Sequence, residues 1–289
     1  MSPVADASLV LPKRPLGNTG FHATIFGLGG EGILRTIGRE REAVAVIQRA
    51  LQLGVNYFDT APAYEMSRDY LGLVFRDLGD KRKKLFIASK THARTKRGSL
   101  ALLEDTLKRL HVDTLDLLQL HDLRTLQDLE EIFSKGGALE AIEEAKRNKQ
   151  IRFAGITGHH DPKVLIEAIK RYDFDTVLTC VNPGDPHYLP FINTVIPEAR
   201  KKGMGVIAMK IMARGSLISP HGELQAREAF TYALSQDTDL AIIGCDNPAQ
   251  VEQNARIGAA FKAASPQELT RLEDLTKTNP NAWSFKKAA

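Results

Sequence analysis

Eight short apolar runs, rich in β-branched, leucine and aromatic residues, recur along the chain at residues 25–28, 55–59, 85–90, 115–121, 151–157, 176–181, 206–209 and 240–243. Runs of this length between polar segments read as buried strands. Between them the apolar positions switch to helical spacing: Ala43, Val44, Ile47, Ala50 and Leu51 in one segment, Leu103, Leu107 and Leu110 in another, Ala138, Ala141, Ile142 and Ala145 in a third. Each such stripe needs a surface to bury it. Gly54, Gly79 and Gly203 follow periodic stretches, where a left-handed residue closes a helix. Asp161 before Pro162 and Asn247 before Pro248 are N-cap pairs with proline at the first helical position, and the second opens what reads as the last helix. Eight strands alternating with helices every 30 residues or so predict a closed (β/α)8 barrel. A doubly wound open sheet would carry Gly-x-Gly-x-x-Gly after its first strand, whereas residues 27–30 read Gly-Leu-Gly-Gly and open no helix. Residues 9–11 and 23–25 flank a turn at Gly17, Asn18, Thr19 and Gly20, which predicts a β-hairpin ahead of the barrel. Gly136, Gly137 and Gly222 punctuate loops, and no linker or low-complexity tract interrupts the pattern. Residues 1–289 therefore read as one barrel domain.

Composition narrows the classes. A chain of 289 residues, 43% hydrophobic, buries a sizeable core, and it has no run of membrane-spanning length. Its 39 basic and 35 acidic residues leave a net charge of +4 with no long basic block, which argues against a nucleic-acid partner. The basic tract at residues 81–84 reads as a solvated connection into the third strand. Cys180 and Cys245 sit in or beside apolar runs and predict no disulfide framework, hence a reducing, cytoplasmic setting. The first ten residues lack the charged and apolar regions of an export signal.

In a (β/α)8 barrel the chemistry sits where the strands end. Those ends are polar: Gly29 and Gly30, Asp59, Lys90, His121, Thr157 to His160, Asn182, Lys210, then Cys245 and Asp246. Asp59, Lys90 and His121 are 31 residues apart, so an acid, an amine and an imidazole would converge from adjacent strands. Singly each has a structural explanation, Asp59 as a turn residue, Tyr64 as loop packing, Lys90 as a solvated strand end, His121 as a core histidine. Together they suggest a lysine held by an aspartate, with a tyrosine whose proton the ammonium makes easier to lose. A phenol that protonates a carbonyl oxygen as hydride reaches the carbon is the minimum machinery of a reductase.

The chain resembles the aldo-keto reductases over essentially its whole length. The segments that carry the resemblance are residues 14–20 (Arg-Pro-Leu-Gly-Asn-Thr-Gly), 54–64 (Gly-Val-Asn-Tyr-Phe-Asp-Thr-Ala-Pro-Ala-Tyr), 88–90 (Ala-Ser-Lys), 116–121 (Asp-Leu-Leu-Gln-Leu-His) and 243–254 (Ile-Gly-Cys-Asp-Asn-Pro-Ala-Gln-Val-Glu-Gln-Asn). The resemblance implies a (β/α)8 barrel that binds a nicotinamide nucleotide at its mouth, usually NADPH, and reduces an aldehyde or ketone. It assigns Tyr64 as general acid, Lys90 and His121 as the groups that tune and position it, and Asp59 as the partner of Lys90. It places the nucleotide against Gly30, Asp59, Thr157, Gly158, Met209, Lys210, Met212, Arg214, Gly244, Cys245, Asp246, Gln250 and Asn254. The family's Ser-Asn carboxamide pair reads Thr157-Gly158 here, its glutamine near Leu178 is absent, and Met209 stands for the usual stacking aromatic. Gly244, Cys245 and Gln250 occupy the place of its 2′-phosphate contacts, with Asp246 adding a negative charge, so NADH is the alternative cofactor.

Three other readings come from the same residues. His92, His121, Asp122, His159, His160, Asp161 and His187 can be drawn as the centre of a metal-dependent hydrolase, but such barrels begin with paired histidines where residues 26–29 read Phe-Gly-Leu-Gly, and no catalytic metal is expected. A Schiff-base aldolase would use Lys90 without needing Tyr64, Asp59 and His121 together. A nucleotide-binding sensor with little turnover is the non-enzymatic alternative. The partner is expected to be a small carbonyl compound, selected by residues 91–97, 123–137, 183–190 and the tail around Trp283.

Overall fold

The computed structural model describes residues 9–218, 224–277 and 287; Trp283 lies outside them. Strands β1 (Lys13–Pro15) and β2 (His22–Thr24) pair antiparallel ahead of the barrel. The barrel strands are β3 (Phe26–Gly32), β4 (Tyr57–Asp59), β5 (Phe86–Thr91), β6 (Leu115–Leu120), β7 (Ile151–Gly158), β8 (Thr176–Cys180), β9 (Gly205–Met209) and β10 (Leu240–Cys245). All pair in parallel, each with the next, and β10 closes onto β3. Around them lie α1 (Glu40–Gln52), α2 (Ser67–Phe75), α3 (Lys96–Leu110), α4 (Leu126–Phe133), α5 (Ala138–Arg147), α6 (Pro162–Arg171), α7 (Val195–Lys201), α8 (Ala226–Ser235), α9 (Pro248–Ala259) and α10 (Pro266–Thr276). The predicted barrel and hairpin are both present. No helix among the described residues is long and apolar enough to cross a membrane.

Local chemistry explains most boundaries. Asp161 accepts from the Lys163 N–H and Asn247 from that of Gln250, as the proline-marked caps predict. On α5, Ala138, Ala141, Ile142 and Ala145 are all buried; a fully buried isoleucine contributes about 1.5–3 kcal/mol. Three expectations need correction. The first hairpin strand is Lys13–Pro15 rather than residues 9–11, because Leu16 N–H bonds Phe21 at 2.9 Å and fixes the register there. Residues 123–137 are not a plain loop: Thr125 and Asp128 form a capping box that starts α4. The helix after Asn247 is not the last, since Ser265, Pro266 and Glu268 repeat the start signal and open α10.

The core has two layers. One lies between the strands and the helices. The other fills the barrel with Leu16, Tyr57, Phe86, Leu117, Leu178, Ile207 and Leu240. Tyr57 and Phe86 stack with ring centroids 5.4 Å apart. Leu16 reaches this layer from the hairpin, which seals the bottom: a Cβ on Gly17 would lie 2.2 Å from the Gly205 nitrogen, so only glycine fits there. Side chains alternate along a strand. Asp59, Lys90 and Gln119 therefore share the inward parity of Tyr57, Phe86 and Leu117, but stand nearer the mouth.

Candidate active site

Directly above the aromatic layer, Lys90 Nζ donates to Asp59 Oδ1 at 2.5 Å and to the Thr60 carbonyl at 3.0 Å. Both side chains are only 1% exposed. Gln119 Nε2 donates to the second carboxylate oxygen at 3.4 Å. Burial outweighs pairing on both partners: the Asp59 carboxyl is raised above its ordinary value and the Lys90 ammonium lowered below its own. A buried pair of this kind holds geometry more than it adds stability.

Tyr64 and His121 stand over this pair. Tyr64 sits in the turn from β4 to α2, its N–H bonded to Ala61 and its carbonyl accepting from Ser67. Lys90 Nζ lies 4.6 Å from the centre of its ring, and the His121 ring meets it edge-on at 5.9 Å. Burial, then the Asp59 and Glu31 carboxylates, push the Tyr64 phenol well above its usual value. This corrects the expectation of an easily lost proton: in the free protein the phenol stays protonated. His121 goes the other way, pushed down to about 3 by burial and by Lys90, so its imidazole is neutral at ordinary pH. Its backbone is tied on both sides, N–H to Thr91 at 2.8 Å and carbonyl to Arg94 Nη1 at 2.9 Å.

Tyr64 and His121 line a cleft of about 430 Å³ with Glu31, Arg35, Ala63, His92, Arg94, Asp122, Arg124, His159, Lys210 and Arg214. Its walls are almost wholly polar. Glu31, at the end of β3, pairs with Lys210, with Arg214 at 3.0 Å and with Arg35 at 3.1 Å. The first of these attractions, to Lys210, exceeds that to Arg214, and together they hold the Glu31 carboxyl at about 2 despite the opposing cost of burial. Lys210 and Arg214 both have left-handed backbone, at φ 55° and 58°. The loop after β9 is thus latched across the mouth to β3.

The remaining nucleotide candidates are placed unevenly. The Thr157 hydroxyl accepts the Asp122 N–H at 2.9 Å and ties β7 to the turn after β6. Gly158 is buried against Leu165 and the Leu123 carbonyl. A Cβ at Gly30 would lie 2.5 Å from Ser67 Oγ and 2.6 Å from the Asp59 carbonyl, so that glycine serves packing of the strand ends. Met209 is buried at the top of the inner core, Met212 half-buried in the latched loop. Cys245 is fully buried and accepts from Asn254 Nδ2 at 3.4 Å. Gln250 accepts the Asp246 N–H at 2.7 Å, while Gly244 and Asp246 are exposed beside it. Of the set, Lys210 and Arg214 line the cleft. Sequence reasoning passed over Glu31, one position beyond the glycines it singled out, and over Arg94 and Gln119.

Comparisons with known proteins agree with this architecture. The chain is 31% identical over 225 residues to an L-galactose dehydrogenase of Arabidopsis thaliana, covering 71% of this chain and 66% of that one. It is 30% identical over 221 residues to an aldo-keto reductase of Bacillus subtilis, covering 70% and 62%. The chain thus spans about two thirds or less of both relatives' length. An aldo-keto reductase of Bacillus halodurans, solved in its holo form, superposes with a TM-score of 0.78 at 24% identity, over 92% of this chain and 96% of that one, and shares the fold. The family model described as aldo/keto reductase matches residues 25–223, and the chain belongs to the aldo/keto reductase family.

Proposed function

We propose that the protein is a nicotinamide-nucleotide-dependent oxidoreductase that interconverts a small polar aldehyde or ketone with its alcohol, Tyr64 being the proton donor. The observation that carries the reading is the joint placement of Tyr64 and His121 on one cleft, over the buried Lys90–Asp59 pair. The donor set fits a nucleotide: Lys210 and Arg214 present cations at the mouth, and the Glu31 carboxylate already occupies them as an internal anion. When bound, the nicotinamide supplies hydride to the carbonyl carbon. The protein's part is to hold and protonate the oxygen. A neutral His121 offers a ring N–H to it, and the protonated Tyr64 phenol transfers its proton as negative charge develops. Lys90 fixes the phenol from below.

NADH is the nucleotide favoured. On residues 244–250 Cys245 is turned inward to Asn254 and Asp246 is an exposed acid, so that loop offers no cation to a 2′-phosphate. The polar cleft, with Arg35, Arg94 and Arg124 on its walls, suits a hydroxylated or anionic substrate rather than an apolar one. That a relative is named L-galactose dehydrogenase supports the same class. The test is Tyr64→Phe assayed with NADH and a panel of sugars and hydroxy-aldehydes. Turnover should fall by about 100-fold or more with nucleotide affinity unchanged; turnover within a few-fold of wild type refutes the assignment.

A further inference from the structure

We infer that Asp122, His159 and His160 form a binding site for a divalent transition-metal ion beside the catalytic cleft. One ligand-capable atom from each of the three lies within 4.8 Å of the other two, and they are the only such group among the described residues. His92 and His121, drawn with them from the sequence, do not join the group, and His187 bonds the Glu273 carbonyl instead.

The three are held from different directions. Asp122 has left-handed backbone, φ 55°, maintained by its N–H to Thr157 Oγ and by Arg94 on its carbonyl at 3.0 Å. Arg124 takes Oδ2 at 2.6 Å and 2.8 Å, which leaves Oδ1 turned to His159 Nε2, 3.2 Å away. The two imidazoles follow β7, their rings 5.3 Å apart and 28° from parallel. Pro162, behind the Asp161 cap, starts α6 immediately after them. Ligands bound to a tetrahedral ion at about 2.1 Å stand about 3.4 Å apart, so atoms already within 4.8 Å of one another have little distance to close. Two imidazoles and one carboxylate select zinc, cobalt or nickel over magnesium or calcium. Three protein ligands leave a position open, and two of the three, Asp122 and His159, also line the cleft of Tyr64 and His121. Direct pairing of His159 Nε2 with Asp122 Oδ1 at 3.2 Å is the competing structural role.

Cobalt titration of the whole protein, followed by the visible d–d bands and by displacement with zinc, separates the two. Wild type should take up one cobalt, released by one equivalent of zinc. His160→Gln and Asp122→Asn, checked for folding by circular dichroism, should each weaken uptake by more than about tenfold, since loss of a ligand costs at least as much as loss of an outer-shell partner. Absence of bands in wild type overturns the inference, as does uptake unchanged in both variants, which would mean adventitious coordination elsewhere. Neither readout depends on turnover.

Discussion

Glu31 offers the sharpest test of how the mouth works. A nucleotide pyrophosphate that uses Lys210 and Arg214 must first displace the carboxylate they now hold. Holding that carboxyl at about 2 against an ordinary 4.5 corresponds to about 3 kcal/mol of attraction for the ionised form. The side chains of Glu31 and Arg214 are 26% and 45% exposed, and solvent screening reduces the usable part to about 1 kcal/mol. Glu31→Gln removes the competitor without removing the cations, so NADH should bind about fivefold tighter at low ionic strength. The gain should shrink as salt is raised, because partly exposed charges are screened. Isothermal titration of wild type and variant with NADH, at two salt concentrations, measures both. Equal or weaker binding by the variant refutes the reasoning, and would mean that Glu31 orients the two cations rather than blocking them.

The same carboxylate predicts a pH dependence of stability. Its pKa is depressed in the folded protein, so its contribution is present above about 4.5 and is lost as pH falls toward about 2; denaturant melts of wild type and Glu31→Gln should differ at pH 6 and converge below that window, and a constant gap refutes it. Asp59→Asn or Lys90→Met alone should cost about 3–5 kcal/mol by stranding a buried charge, while the double variant regains most of that stability but not turnover. Recovery of both by the double variant would remove the pair from the chemistry. Thr157→Val, close to isosteric, strips the acceptor from the Asp122 N–H and should destabilise by about 1–3 kcal/mol. If the tie positions His121, turnover falls further than the stability loss accounts for; unchanged turnover restricts Thr157 to the scaffold.

The barrel was legible because it rests on period and parity. Each strand from β3 to β10 overlaps an apolar run, and the inward phase that puts Tyr57 and Phe86 in the inner core also brings Asp59 and Lys90 together. Proline-marked caps were equally readable at Asp161 and Asn247. What escaped were features set by contacts between distant segments. Gly30 is set against the nucleotide by the resemblance alone, and its missing side chain makes room for Ser67 and the Asp59 backbone. Thr157 stands at the family's carboxamide position, and its oxygen also accepts an N–H from a residue 35 positions away. Cys245 and Asn254, which the resemblance sets against the nucleotide, bond each other across the start of α9.

The Tyr64 phenol shows why pairwise reasoning along the sequence mistakes an electrostatic sign. A neighbouring ammonium alone would ease loss of the proton. In the folded chain that ammonium is itself bound to Asp59 at 2.5 Å and spends its field there, leaving the tyrosine to feel burial and the Asp59 and Glu31 carboxylates. A phenol held protonated in this way gives up its proton only to a stronger base, which in the proposed reaction is the alkoxide formed by hydride addition. Release is thereby coupled to the chemical step. On the proposed function, a nucleotide that drew Lys210 and Arg214 away from Glu31 would change the same local field, so that Glu31 would act on the Tyr64 phenol as well as on the mouth.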